Sequence, residues 1–125
     1  MKRALLVSLL LSLLPPAYGQ SPATSAAPPR KGPVTYGSGP KLCSDWIAAE
    51  TKADQTDYVA NRFWVAGFMS AYNVFVSAPD FDIGKGTTPE VMKTFMHARC
   101  EANPTETIAT AGRAFIEMLK ARQAR

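Results

Sequence analysis

The stretch YVANRFWVAGFMSAYNVFV, Tyr58 to Val76, decides how the rest of the chain is read. No charged residue lies between Arg62 and Asp80. At helical spacing Trp64, Phe68, Ala71 and Phe75 share one stripe, and Val65, Met69, Tyr72 and Val76 share the next. Together they span an arc much wider than the ~100° apolar stripe of a surface helix. Such a helix needs cover on most of its sides. The remaining strip, Ala66, Ser70, Asn73 and Ser77, is small or polar. Gly67 beside it costs ~1 kcal/mol against Ala, and a tolerated Gly there lets another backbone approach closely. The stretch is expected to be the central helix of a small helical domain, with everything after Pro40 wrapped around it.

Toward the C-terminus, Pro79, Gly84 and Gly86 break the helix within APDFDIGKGT (Ala78 to Thr87). Phe81 and Ile83 alternate with Asp80 and Asp82 there and are placed to tuck back onto the core. Asp80-x-Asp82 looks like the start of a calcium loop, but the later oxygen ligands and the terminal Glu are missing. Thr88-Pro89-Glu90 opens a third helix with a cap, a proline at its first position and an early acid. Val91, Phe95, Ala98 and Ala102 form its inner stripe, with Met92, Met96 and Cys100 alongside. Glu90, Lys93, His97 and Glu101 form its polar face, so His97 is expected to meet solvent. Asn103-Pro104-Thr105-Glu106 reads as the cap and first turn of a fourth helix. Ile108, Gly112, Phe115 and Leu119 point inward from it, and the tail after Lys120 is expected to fray.

Toward the N-terminus, Leu42 to Thr51 is a short helix. Leu42, Trp46 and Ala49 share its inner stripe, Cys43 and Ile47 lie beside it, and Asp54, Thr56 or Asp57 supplies the cap of the next helix. Nothing alternates convincingly with period two. The fold class is therefore all-α, a small four-helix domain over residues 41–125. Met69, Met92, Met96 and Met118 read as core filler.

Residues 1–19 have the order of a secretory signal: Lys2-Arg3, the apolar run Ala4 to Leu14, Pro15-Pro16, then Ala17-Tyr18-Gly19. Cleavage is expected after Gly19. The run is shorter than the ~20 apolar residues a membrane span needs, so no stable membrane insertion is expected after cleavage; an uncleaved anchor is the alternative. Residues 20–40, rich in Pro, Ser, Ala and Gly, read as a disordered linker. The formal charge of +4 does not belong to the domain, because Lys2, Arg3, Arg30 and Lys31 lie before it. From Lys41 onward Lys and Arg are balanced by Asp and Glu, so no basic face marks a nucleic-acid partner.

Cys43 and Cys100 are the two cysteines of the chain. An exported protein meets an oxidising compartment, so an intramolecular disulfide is the default, stapling the first helix to the third. Intermolecular pairing and free thiols are the alternatives. Two cysteines and one histidine cannot make a four-ligand zinc site. No metal or other cofactor is expected. No nucleophile–base pair or phosphate loop is recognisable, so the chain does not read as an enzyme.

Cys43-Ser44-Asp45-Trp46 resembles the C-x-D-[FW] opening of the HdeA/HdeB family of small exported bacterial helical proteins. Trp64-Val65-x-Gly67-Phe68-x-Ser70, with Cys100-x-x-Asn103-Pro104, looks like small periplasmic relatives of that group. The pattern is also similar to the Rap/Tai immunity proteins of type VI secretion. The first resemblance implies a periplasmic acid-stress chaperone, dimeric at neutral pH, that binds unfolded proteins when acid exposes its apolar surface. The second implies a module that holds one specific protein partner, with the loop Pro79 to Thr87 as a contact. In either case Trp64, Phe68 and Phe75 are the residues expected to contribute to a self- or partner interface as well as to the core. A periplasmic or secreted location in a bacterium follows from both.

Overall fold

The computed structural model describes residues 33–125. Four helices run in the order α1 (Cys43–Thr51), α2 (Thr56–Phe75), α3 (Pro89–Ala102) and α4 (Ile108–Gln123). No strand forms among the described residues; a lone antiparallel bridge joins Leu42 to Thr107. The all-α, four-helix expectation holds. The expected signal segment and residues 20–32 of the expected linker lie outside the described residues.

Cys43 and Cys100 are joined by a disulfide between α1 and α3, with their Cα atoms 4.6 Å apart. Both residues are fully buried. A second tie lies along the same pair of helices. Glu50 of α1 accepts from the Trp46 indole N–H at 2.9 Å and faces His97 Nδ1 of α3 at 2.6 Å. A carboxylate can only accept, so Nδ1–H donates. His97 is therefore half exposed, as expected of a polar face, yet engaged across the helix pair.

The first turn of α1 begins at Leu42, whose side chain cannot cap. Its orphan donors find backbone acceptors instead. Cys43 N–H donates to the Glu106 carbonyl at 2.7 Å and Ser44 N–H to the Pro104 carbonyl at 2.9 Å. This explains why the Asn103–Glu106 segment is not the first turn of α4. A helix there would commit those carbonyls to its own ladder. The segment is a loop: Asn103 closes α3 by donating to the Arg99 carbonyl, and the Arg99 guanidinium makes two 2.7 Å bonds to Glu106. Thr107 caps α4, its hydroxyl accepting from Thr110 N–H.

The buried centre is α4, not α2. Six residues of α4 are buried: Ile108, Ala111, Gly112, Phe115, Ile116 and Leu119. In α2 only Tyr58, Asn61 and Val65 are. Around α4 gather Trp46, Val65, Ile83, Met92, Met96 and Cys100, with Trp46 edge-on to Tyr58 and Phe95 tilted against Phe115. The broad apolar arc of α2 is thus covered on one side only. Three short neighbours supply too little surface to enclose a twenty-residue helix, and α4 takes the inner position because its stripe of small and large residues accepts helices on both flanks.

Two further boundaries differ from expectation. The expected linker ends before Pro40, because residues 36–40 belong to the fold. Trp64 Nε1–H donates to the Tyr36 carbonyl at 2.7 Å, and Gly39 lies flat against the Trp64 ring. The Gly39 carbonyl also accepts from Ala109 N–H. At the other end, α4 does not fray after Lys120. Gln123 donates to the carbonyls of Asp82 and Ile83, each at 3.0 Å, and Arg122 donates to the Gly86 carbonyl at 2.6 Å. Ile83 tucks fully into the core as expected.

Candidate functional site

The three aromatic residues expected at an interface part company. Trp64 and Phe68 stack, centroids 5.3 Å apart, and face α4. The missing side chain of Gly112 makes room for them: a Cβ there would meet Phe68 at 3.5 Å and Trp64 at 3.9 Å. Both are partly buried against the core. Phe75 lies on the same stripe but beyond the reach of Gly112 and of the 36–40 turn, and it is 83 % exposed.

The outer surface of α2 is instead marked by Phe63 and Val74, which lie on neither apolar stripe, and by Val76. Phe63 is 74 % exposed, Val74 71 % and Val76 66 %. Phe63, Gly67, Ser70 and Val74 recur at i, i+4, i+7 and i+11, and all four face solvent. The close approach foreseen at Gly67 is not made among the described residues, where a Cβ there would meet nothing within 4 Å. Phe63 could have been found by angle: it lies on the opposite side of the helix from Val65 and Tyr58. Asn73, assigned to the outer strip, faces the 78–87 loop. Its Nδ2 donates to Asp82 at 2.7 Å and its Oδ1 accepts from Ile83 N–H.

At its N-terminal half the α2 surface deepens into a groove of about 400 Å³ against the start of α3. Val59, Phe63, Ala66, Met69, Pro89 and Met92 line it. Three polar side chains join them, Arg62, Thr87 and Thr88. Arg62 Nε and Thr87 Oγ1 are both buried and find no hydrogen-bond partner among the described residues. The Arg62 guanidinium lies 5.6 Å from the centroid of the Tyr58 ring, and the ion pairs of the described residues do not include it.

Titratable groups elsewhere serve the fold. The Glu50 hydrogen bond and charge raise the His97 pKa. The Lys41 and Lys52 ammonium groups, Lys41 first, hold Asp57 low. Asp54 is also low, because the hydroxyl and the N–H of Thr56 both donate to it. Among the described residues no three His, Cys, Asp or Glu side chains gather where a metal ion could sit, and no helix is long and apolar enough to cross a membrane. No protein-family model matches the chain, no curated protein matches it, and no solved structure matches it.

Proposed function

We propose that the chain is a non-enzymatic extracytoplasmic chaperone of the HdeA kind, which holds unfolded proteins on the outer face of α2. The observation that carries this reading is the exposure of Phe63, Val74, Phe75 and Val76 on one helix. Exposed large apolar side chains gathered on one element are unfavourable in water unless something covers them. The surface also lacks charge from Phe63 to Pro79. A specific interface sets register with polar groups around an apolar centre. A charge-free face holds apolar segments without choosing among them, which suits unfolded clients. The disulfide supports an oxidising compartment, periplasmic or secreted. A homodimer that covers the same face at neutral pH fits this reading.

A specific-partner module of the immunity kind is the second reading. It is favoured by the 78–87 loop, which Asn73, Arg122 and Gln123 hold in one conformation suited to a fixed contact.

The test compares the oxidised chain with a Val74→Ser/Phe75→Ser variant. Both positions are exposed, so the melting temperature is expected to change little. The parent should suppress aggregation of an acid-unfolded client as the pH returns to neutral, and the variant should lose most of that suppression and its uptake of a hydrophobic dye. Equal suppression by both, or none by the parent, would refute the chaperone reading.

A further inference from the structure

The groove between α2 and the start of α3 differs from the outer face beside it. It is concave, and its volume of about 400 Å³ lies in the range of small-molecule sites, ~300–1,000 Å³. Its walls are aliphatic, thioether and aromatic. Its polar side chains are Arg62, Thr87 and Thr88, and the Thr88 hydroxyl is already engaged in capping α3 through Val91 N–H.

Arg62 and Thr87 are costly as they stand. A buried polar atom without a partner carries a desolvation penalty that folding leaves uncompensated. Here there are two, a guanidinium Nε and a hydroxyl oxygen. Both line the same apolar groove. The cation has only the face of Tyr58 for company. The first turn of α3, opening at Pro89, adds the partial positive charge of a helix N-terminus to the same groove. Arg62 and Thr87 therefore favour an anion that can accept hydrogen bonds, and the apolar walls favour hydrocarbon.

We infer that this groove binds a free monocarboxylate bearing a single medium-length acyl chain, with the carboxylate on Arg62 and Thr87 and the chain along Phe63, Ala66, Met69 and Met92. Arg suits this head because its planar fork can donate two parallel bonds to a carboxylate. The Thr87 hydroxyl donates a third. The groove shares Phe63 with the proposed client surface, but its lining does not include Val74 or Phe75, which lie at the other end of α2.

The probe is dodecanoate, titrated calorimetrically into the oxidised full chain below its micelle concentration. Dodecyltrimethylammonium, with the same tail and the opposite charge, is the comparison. Saturable one-to-one binding of dodecanoate is expected, with the cation weaker. Arg62→Gln should weaken dodecanoate about ten- to a hundredfold, the range of a lost charge-assisted hydrogen bond, and leave the cation no weaker. Thr87→Val should weaken dodecanoate by less. Ala66→Trp, at an exposed position, should fill the groove and abolish binding of both. Should Arg62→Gln fail to fold, Arg62→Lys keeps the charge without the fork and should bind more weakly than the parent. The assignment is overturned if dodecanoate gives no saturable signal, if both amphiphiles bind alike, or if Ala66→Trp binds as the parent does. A groove occupied by a second copy of the chain would also overturn it, and would show as a dimer that dodecanoate does not disturb.

Discussion

Replacing both bridged cysteines by alanine tests the mechanics of the fold most directly. The bridge spans 57 positions of sequence. Closing a loop of that length removes denatured-state entropy worth about 4 kcal/mol in the chain-entropy treatment. A domain of this size has a total stability of about 5–15 kcal/mol, so the loss is a large fraction of the whole. At ~4–8 °C per kcal/mol for a small domain, Cys43→Ala/Cys100→Ala should melt about 15–30 °C below the parent. Alanine is preferred to serine because both positions are fully buried and a hydroxyl there would lack a partner. The assay is urea unfolding followed by far-UV circular dichroism, run on the parent and the variant. A second run in acid sharpens it. Asp54 and Asp57 titrate below the ordinary carboxylate value of 3.8, so their stabilising contribution is present above that value. It is lost as pH falls through their folded-state values. The disulfide does not titrate. The variant should therefore unfold at a higher pH than the parent during acidification. A variant within about 1 kcal/mol of the parent at neutral pH, well short of the chain-entropy figure, would refute the reasoning. It would mean that the Glu50–His97 and Arg99–Glu106 contacts hold α1, α3 and the following loop without the covalent tie.

Two glycines facing Trp64 should respond oppositely to alanine. At Gly39 a Cβ would lie 2.9 Å from Trp64 Cε2, so Gly39→Ala should push the 36–40 turn off the ring and cost about 1–3 kcal/mol, the usual range for overpacking. At Gly112 the nearest atom is Phe68 Cδ1 at 3.5 Å, an ordinary contact, so Gly112→Ala should be neutral or gain up to ~1 kcal/mol of helix propensity; paired thermal melts and Trp fluorescence check both. His97 is raised above its ordinary 6.5 by Glu50. Its contribution should be complete just below that pH and vanish as pH rises through the raised value. The stability gap between parent and His97→Gln should therefore close on alkalinisation, and urea midpoints across that window measure it.

Local chemistry made much of the fold legible. Thr88-Pro89-Glu90 announces a helix start wherever the chain goes, because cap, fixed φ and early acid act within one turn, and α3 begins there. Asn103-Pro104-Thr105-Glu106 carries nearly the same signal and misleads. Its carbonyls are needed by Cys43 and Ser44, some sixty residues earlier in the chain, and no local pattern records that demand. The exposed apolar surface of α2 was legible only in part. Periodicity puts Phe75 on one stripe with Trp64 and Phe68 and cannot separate the exposed ring from the two partly buried ones. Phe63 is hidden in the sequence because an aromatic between Arg62 and Trp64 looks like part of the inner run.

The helical class and the number of helices were set by the sequence alone, since each follows from spacing or from a single backbone turn. Having only two cysteines made an intramolecular bridge the default, and the fold, which brings Cys43 and Cys100 together, excluded the alternatives. Tertiary structure alone decided which helix is central and which apolar residues stay outside. The reason is that coverage is a property of pairs of elements. Tyr58 to Val76 has the hydrophobicity of a buried helix, but α1, α4 and the 36–40 turn reach only one side of it. Phe63, Val74, Phe75 and Val76 were left to solvent by their neighbours' dimensions and not by their own chemistry.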